Sequence, residues 1–140
     1  MSEVHTIAIL YAAEGKMERC PFTIVSMPAT VLTADRMQSL LAQQCKRVHE
    51  NEEYTLRFLV TEPINPISGE TAVAEPRDHK PEELVMIETY KSKEALLQHE
   101  EEPYFKEVFG LFMEENIMAK APFLIRTVSA AGFDIDRKLI

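Results

Sequence analysis

The residues from Leu84 to Lys106 constrain the fold of this chain more than any other segment. Leu84 to Tyr90 is a short run in which both faces begin apolar, as expected for a strand in a sheet. The run leads directly into a helix that Ser92 can cap and that Pro103 ends or kinks. The segment therefore predicts a strand that is followed at once by a helix packed against it.

The remaining sequence contains further strand and helix patterns. Strands are predicted at His5–Tyr11, Tyr54–Thr61 and Pro122–Ser129, and helices at Ala34–Asn51, with Thr33 as N-cap, and at Pro103–Glu115. Another strand candidate, Phe22–Val31, contains Pro28, which would confine it to a sheet edge or break it. Strand, helix, strand, strand, helix, strand is the split βαβ order of ferredoxin-like α+β folds, with one four-stranded antiparallel sheet.

Apolar residues occur on both faces of the predicted strands. In the second strand, alternation places Leu56, Phe58 and Val60 on one side and Arg57 and Leu59 on the other. Helices can cover only one face of such a sheet, and a second copy of the chain is the simplest cover for the other. The pattern therefore predicts a homodimer.

Composition excludes several classes of protein. With 140 residues, 46% of them hydrophobic, the chain is expected to form a single domain over residues 1–140. A net charge of -8 repels nucleic-acid backbones, and no apolar run approaches the roughly 20 residues that cross a membrane. No secretory signal pattern is present, so a cytoplasmic location is expected. Cys20 and Cys45 have no metal-ligand spacing, so they are expected to be free thiols, with no metal site.

Three segments do not fit the regular pattern. Residues 17–33 are expected to be an insertion, and residues 62–82 a long proline-rich loop. The loop could be a lid over a pocket or a simple surface excursion, and its composition does not separate the two. The tail, residues 130–140, is expected to lie on the surface or on a partner subunit.

The segment from Leu84 to Lys106, with its capped helix, His99 and the aromatic pair Tyr104–Phe105, resembles the signature half of the antibiotic biosynthesis monooxygenase family. The resemblance covers most of the chain outside the insertion and the tail. It implies a dimeric α+β barrel, in which two sheets close together and a pocket lies between helices and sheet. Enzymes of this family oxidise aromatic polyketides or quinols with O2, without metal or flavin. The resemblance thus implies a hydrophobic aromatic ligand and no cofactor.

Candidate catalytic residues follow from that chemistry. An electron-rich phenolate can itself donate an electron to O2, so a base, a hydrogen-bond donor and an apolar cavity are sufficient. His99 is the expected base because an imidazole accepts a proton near neutral pH. Tyr90, which stands where many family members have tryptophan, and Arg57 are expected to orient or stabilise the anion. The alternative for His99 is a surface histidine with a local packing role.

Other residues are expected to bind the substrate, and they are Tyr54, Phe58, Met86, Glu88, Tyr104 and Phe109. Glu88 could form an ion pair with Arg57 or Arg126. Haem-degrading relatives in the same superfamily need an axial histidine on the second helix, and Phe109 occupies the position that aligns with it. This difference argues against haem.

The preferred hypothesis is a cofactor-independent monooxygenase that oxidises a hydrophobic phenolic, quinol or polyketide-like molecule with O2. Two alternatives stay open. The chain could be a non-catalytic dimeric protein that binds a small molecule or simply assembles, because one fold supports many functions. It could also be a cyclase or lyase that uses the same pocket for proton transfer alone.

Overall fold

A computed structural model describes residues 2–13, 29–69 and 83–140. The elements in these ranges are β1 (Val4–Tyr11), α1 (Ala29–Asn51), β2 (Thr55–Thr61), β3 (Glu83–Tyr90), α2 (Lys93–Glu101), α3 (Pro103–Glu114) and β4 (Phe123–Val128). All pairings in the sheet are antiparallel, in the order β2-β3-β1-β4. The predicted ferredoxin-like α+β fold is confirmed.

The segment from Leu84 to Lys106 folds as predicted. The hydroxyl oxygen of Ser92 accepts a hydrogen bond of 3.1 Å from the backbone N–H of Ala95 and so caps α2. Glu102 has an extended backbone, since the residue before a proline is disfavoured in helical conformation. Pro103 is then the first residue of α3, where its missing N–H has no consequence.

The predicted start of the first helix is wrong. The helix begins at Ala29, five residues before the predicted start, so Thr33 lies inside it and is not its N-cap. The last three residues of the strand candidate Phe22–Val31 belong to this helix, and its other residues lie outside the described ranges. Val31 and Leu32 suit either a strand or a helix, which explains the error.

The helices cover one face of the sheet, here called the inner face. Its core contains Met37 and Leu41 of α1, Phe112 of α3, and Met86 of β3, all buried. Val108 is also buried, as the predicted apolar face of α3 requires.

The opposite, outer face carries a row of aliphatic side chains. The register aligns Leu59 of β2, Ile87 of β3, Ile7 of β1 and Ile125 of β4 across all four strands. Leu59, Ile7 and Ile125 are each between 41% and 47% exposed. The prediction that both faces carry apolar residues is confirmed.

One residue of β2 does not follow the predicted alternation. The ladder to β3 has a register shift between Thr55 and Arg57, as in a β-bulge. Leu56, the extra residue, is 47% exposed and lies beside Arg57 at a hollow on the outer face. Phe58 and Val60, beyond the bulge, pack on the inner face as predicted.

The three irregular segments are described only in part. Residues 17–28 of the predicted insertion and 70–82 of the predicted loop lie outside the described ranges. At the start of the loop, the Asn65 side chain accepts hydrogen bonds from the backbone N–H groups of Ile67 and Ser68. The tail is exposed throughout. No helix in the described part of the chain is long and apolar enough to cross a membrane.

Candidate functional site

A cavity of about 240 Å³ lies between the helices and the inner face of the sheet. Its wall is mainly apolar and is formed by Ala8, Leu10, Leu41, Phe58, Met86, Leu96, Phe105, Val108, Phe109, Pro122 and Leu124. Six polar residues also reach it, and they are Thr6, Gln44, Glu88, His99, Glu100 and Arg126. An apolar hollow with a few polar groups is typical of a small-molecule site.

Four side chains form a row on the sheet side of the cavity. The register aligns Phe58 with Glu88, Glu88 with Thr6, and Thr6 with Arg126, one residue from each strand. Directly opposite residues of antiparallel strands point to the same face. Consequently an aromatic ring, a carboxyl group, a hydroxyl group and a guanidinium group lie side by side, facing the helices.

His99 on α2 forms a buried pair with Glu52, which follows α1. The distance from His99 Nδ1 to Glu52 Oε1 is 2.7 Å, and the two side chains are 2% and 0% exposed. The hydroxyl groups of Tyr104 and Thr55 also donate hydrogen bonds to the Glu52 carboxylate. Burial by itself raises the pKa of Glu52, but the three hydrogen bonds outweigh it and lower the pKa below its ordinary value.

The pair with Glu52 fixes which ring nitrogen of His99 carries a proton. An ionised carboxylate can only accept hydrogen bonds, so Nδ1 of His99 carries the proton. In the neutral ring Nε2 then has a free lone pair, and it has no hydrogen-bond partner among the described residues. The rings of Phe58, Tyr90 and Phe105 lie with centroids 5.0–5.6 Å from the imidazole and hold its orientation. His99 is therefore held in a fixed orientation at the cavity wall.

Glu88 is the second carboxyl group of the site. The Tyr90 hydroxyl donates a hydrogen bond of 2.7 Å to Glu88 Oε2. Burial raises the pKa of Glu88 above its ordinary value, against the opposing effects of Tyr90, His99 and Arg126. Burial and the Glu88 charge also raise the pKa of Tyr90, so its phenol stays protonated and acts as a donor.

Arg126 and Glu100 form an ion pair on the side of the cavity next to β4. The pair is partly exposed, with 43% and 29% of the two side chains accessible. It therefore places a partly exposed guanidinium group, paired with a carboxylate, at the cavity wall.

The structure brings five of the predicted site residues together at the cavity, and they are His99, Phe58, Met86, Glu88 and Phe109. Tyr90 and Tyr104 stand behind this lining and hold Glu88 and Glu52. Tyr54 does not line the cavity, and its hydroxyl donates a hydrogen bond of 2.9 Å to Glu102.

Arg57 is not brought together with the other predicted site residues. It lies on the outer face opposite Thr89, pairs with Asp134 of the tail at 3.1 Å, and lines an open hollow of about 530 Å³ beneath that tail. The suggested ion pair between Arg57 and Glu88 is therefore wrong. Glu88 is opposite Phe58 on the inner face, and Arg57, the residue before Phe58, points to the outer face. Arg126 is the cation on the cavity side.

Sequence reasoning missed Thr6, Gln44, Glu52 and Glu100. Gln44 left a signal, since it occupies a position on the apolar face of α1 between Leu41 and Val48. Glu52 left no signal, because its partners come from β2, α2 and α3, and only the tertiary fold collects them. Among the described residues no group of three or more His, Cys, Asp or Glu side chains could hold a metal ion.

Solved structures with the same arrangement come from several bacteria. One is named a "putative antibiotic biosynthesis monooxygenase" from Caulobacter crescentus, with a TM-score of 0.64, 16% identity and coverage of 92% of this chain and 91% of that one. A protein from Deinococcus radiodurans with the same name has a TM-score of 0.62, 14% identity and coverage of 94% and 97%.

A third structure, from Pseudomonas aeruginosa, matches with a TM-score of 0.64, 15% identity and coverage of 94% and 97%. The chain has the antibiotic biosynthesis monooxygenase fold. The resemblance predicted from the sequence is thus confirmed at the level of the fold. No family model matches the sequence, and no curated protein does.

Proposed function

We propose that this chain is a cofactor-independent monooxygenase that oxidises a hydrophobic phenolic, quinol or polyketide-like molecule with O2. The observation that carries the proposal is the buried pair of His99 and Glu52 at the wall of an apolar cavity. The shared fold with proteins named as monooxygenases supports the same class.

The reaction begins with proton transfer. Nε2 of His99 accepts the proton of a phenolic hydroxyl, and the imidazolium that forms is stabilised by the Glu52 carboxylate at Nδ1. Because Glu52 accepts hydrogen bonds from Tyr104 and Thr55 as well, it remains ionised during this step.

Oxygen transfer then needs no further reductant. The phenolate gives one electron to O2, and the resulting superoxide and phenoxyl radical combine at a ring carbon to form a C–O bond. The phenolic proton passes from His99 to the peroxide. The ring carbon then loses its C–H proton, the O–O bond breaks, and the departing hydroxide takes that proton to leave as water. A naphthol and O2 thus give a naphthoquinone and water.

The other polar groups have positioning roles in this scheme. Glu88 lies at the cavity wall, where the hydrogen bond from the Tyr90 hydroxyl holds its side chain in place. Arg126 provides positive charge near the phenolate, the role that the sequence had suggested for Arg57. The aromatic wall of Phe105 and Phe109 excludes water from the radical pair.

We also propose that a second copy of the chain covers the outer face, as in a dimeric barrel. The four-residue aliphatic row described above supports this assembly, since a half-exposed row of this kind is stabilised when it packs against its own symmetry mate.

Oxygen consumption by the purified protein tests the proposed activity. A metal- and flavin-free sample is expected to consume O2 with 1-naphthol or an anthrone, with one quinone-type product per O2. His99→Ala is expected to lower the rate by about 10²- to 10⁴-fold. His49→Ala, an exposed histidine at the end of α1, is the matched control and should keep the rate. An unchanged rate in His99→Ala would remove this residue from the mechanism.

A cyclase or lyase is the second candidate, because a base at His99 and a carboxyl group of raised pKa at Glu88 share one cavity. Such an enzyme would form product equally fast with and without O2. Binding of the aromatic ligand with no product in either case would instead favour a non-catalytic binding protein.

A further inference from the structure

Two polar side chains at the cavity have no hydrogen-bond partner among the described residues. They are Thr6, through its hydroxyl oxygen, and Gln44, through both its amide nitrogen and its amide oxygen. Each residue is 3% exposed, and each lines the cavity. Buried polar groups in folded proteins nearly always have partners, so these three atoms require an explanation.

Leaving such atoms unpartnered destabilises the folded chain. A buried donor or acceptor without a partner has lost its hydrogen bonds to water and gained none in the fold. Leucine at position 44 and valine at position 6 would have nearly the same size and no such cost. Thr89 in β3, which is equally buried, does have a partner, since its hydroxyl bonds to Nδ1 of His5 at 3.0 Å. The deficit is therefore specific to the cavity.

The chemistry of the two side chains defines what would satisfy them. The Gln44 amide offers two donor hydrogens and an acceptor oxygen, and the Thr6 hydroxyl offers one donor and an acceptor. Both are neutral, so they suit a carbonyl or hydroxyl group of a ligand rather than a charged one.

The position of Thr6 relates these two side chains to the rest of the site. Thr6 lies directly between Glu88 and Arg126 in the row across the sheet. Neighbouring side chains in such a row have Cβ atoms about 4.5–5.5 Å apart, which is close to the span of one aromatic ring. A ring that lies over this row with its first oxygen at His99 can therefore present a second oxygen to Thr6 and Gln44.

We propose that Thr6 and Gln44 are specificity residues that bind a second oxygen substituent of the substrate, away from the hydroxyl that His99 deprotonates. The inference rests on the cavity being the ligand site of the proposed function. It narrows the substrate to an aromatic molecule with two oxygen substituents on different positions. A cavity of about 240 Å³ limits that molecule to a compact ring system.

The affinity ratio of two matched ligands tests the inference. The probes are 1,4-dihydroxynaphthalene and 1-naphthol, titrated calorimetrically under anaerobic conditions so that no turnover occurs. The unmodified protein is expected to bind the dihydroxy compound on the order of ten times more tightly. Gln44→Leu and Thr6→Val should bring this ratio close to one, mainly by weakening the dihydroxy ligand.

A control variant and a ligand-free measurement accompany the titration. Thr89→Val makes the same change at a buried threonine that has a partner, so it should lower the melting temperature and keep the ratio. Gln44→Leu and Thr6→Val should raise the melting temperature of the ligand-free protein, because they remove unpartnered atoms.

The ratio decides the outcome. An unchanged ratio in both variants, or no binding of either compound by the unmodified protein, would overturn the inference and leave bound water as the partner of these atoms. The unmodified protein could prefer the dihydroxy compound, and the two variants lose that preference, while no O2 is consumed. That result would refute the monooxygenase proposal and leave this inference standing.

Discussion

The two faces of the sheet carry different chemistry on consecutive residues of the same strands. On the inner face, Phe58, Glu88, Thr6 and Arg126 form a row beside a cavity. The adjacent residue in each strand points to the outer face. These four residues form an aliphatic row, and they are Leu59, Ile87, Ile7 and Ile125.

Under the proposed function, this difference assigns ligand binding to the inner face of the sheet and assembly to the outer face. The inner face keeps polar groups under the helices at a cost in stability, as expected of a site that binds a ligand. The outer face has no polar group in its central row, as expected of a surface that assembles. Neighbouring residues can serve these separate tasks because side chains alternate along a strand.

The largest effect is expected when Glu52, the partner of His99 beside the inner face, is substituted. Glu52→Gln keeps an oxygen that can accept from Nδ1 of His99, but it removes the negative charge that stabilises the imidazolium, so the ring accepts a proton less readily. We expect the rate of O2 consumption to fall by about 10²- to 10⁴-fold.

Glu53→Gln changes the adjacent, exposed residue in the same way and should keep the rate. A Glu52→Gln variant with full activity would show that the pair with His99 has no part in the reaction.

The next effect tests the outer face. Ile7→Lys places a charge within the aliphatic row, and a dimer packed through this row would bury that charge once in each copy. We expect the dimer dissociation constant, measured by analytical ultracentrifugation, to rise about 100-fold or more.

Leu97→Lys, at a half-exposed position on α2, introduces the same charge away from the row and should leave the dimer intact. Monomeric unmodified protein at micromolar concentration would contradict the proposed assembly.

The pH dependence of stability distinguishes Glu52 from Glu88. The folded pKa of Glu52 is below its ordinary value of 4.5, so its contribution is complete above about pH 4.5 and is lost as the pH falls through the folded pKa. Glu52→Gln should therefore cost about 1–3 kcal/mol of unfolding free energy at pH 7 and less in acid.

Urea unfolding of the variant and the unmodified protein at pH 7 and pH 4 measures this. A difference that stays constant with pH would show that the loss is one of packing rather than of charge.

Glu88 should show the opposite sign and the smallest effect. Its folded pKa is above 4.5, so the folded chain loses stability as the pH rises from 4.5 through that folded value. Glu88→Gln removes this loss and should gain about 1 kcal/mol at neutral pH and nothing in acid. The same urea titrations measure it, and a destabilised variant at pH 7 would mean that the Glu88 charge is well satisfied in the fold.

Part of the site could be read from the sequence because its signals are local. His99 lies in the helix capped by Ser92, and Glu88 is two residues from buried Met86 in β3, so alternation places Glu88 on the inner face. Arg57 could be placed on the face opposite Phe58 for the same reason. Its assignment to the cavity was an expectation that alternation alone did not support.

The sequence by itself determined the order of strands and helices, the capped helix at Ser92 and the two apolar faces, because periodicity and capping depend on residues close together in the chain. The choice of His99 as candidate base came from the family resemblance. Only the tertiary structure decided that Glu52 holds His99, that Arg126 rather than Arg57 faces the cavity, and that Thr6 and Gln44 lack partners. These contacts join residues far apart along the chain, such as Glu52 and His99, 47 positions apart. No local pattern encodes them, because they arise only when the helices pack onto the sheet.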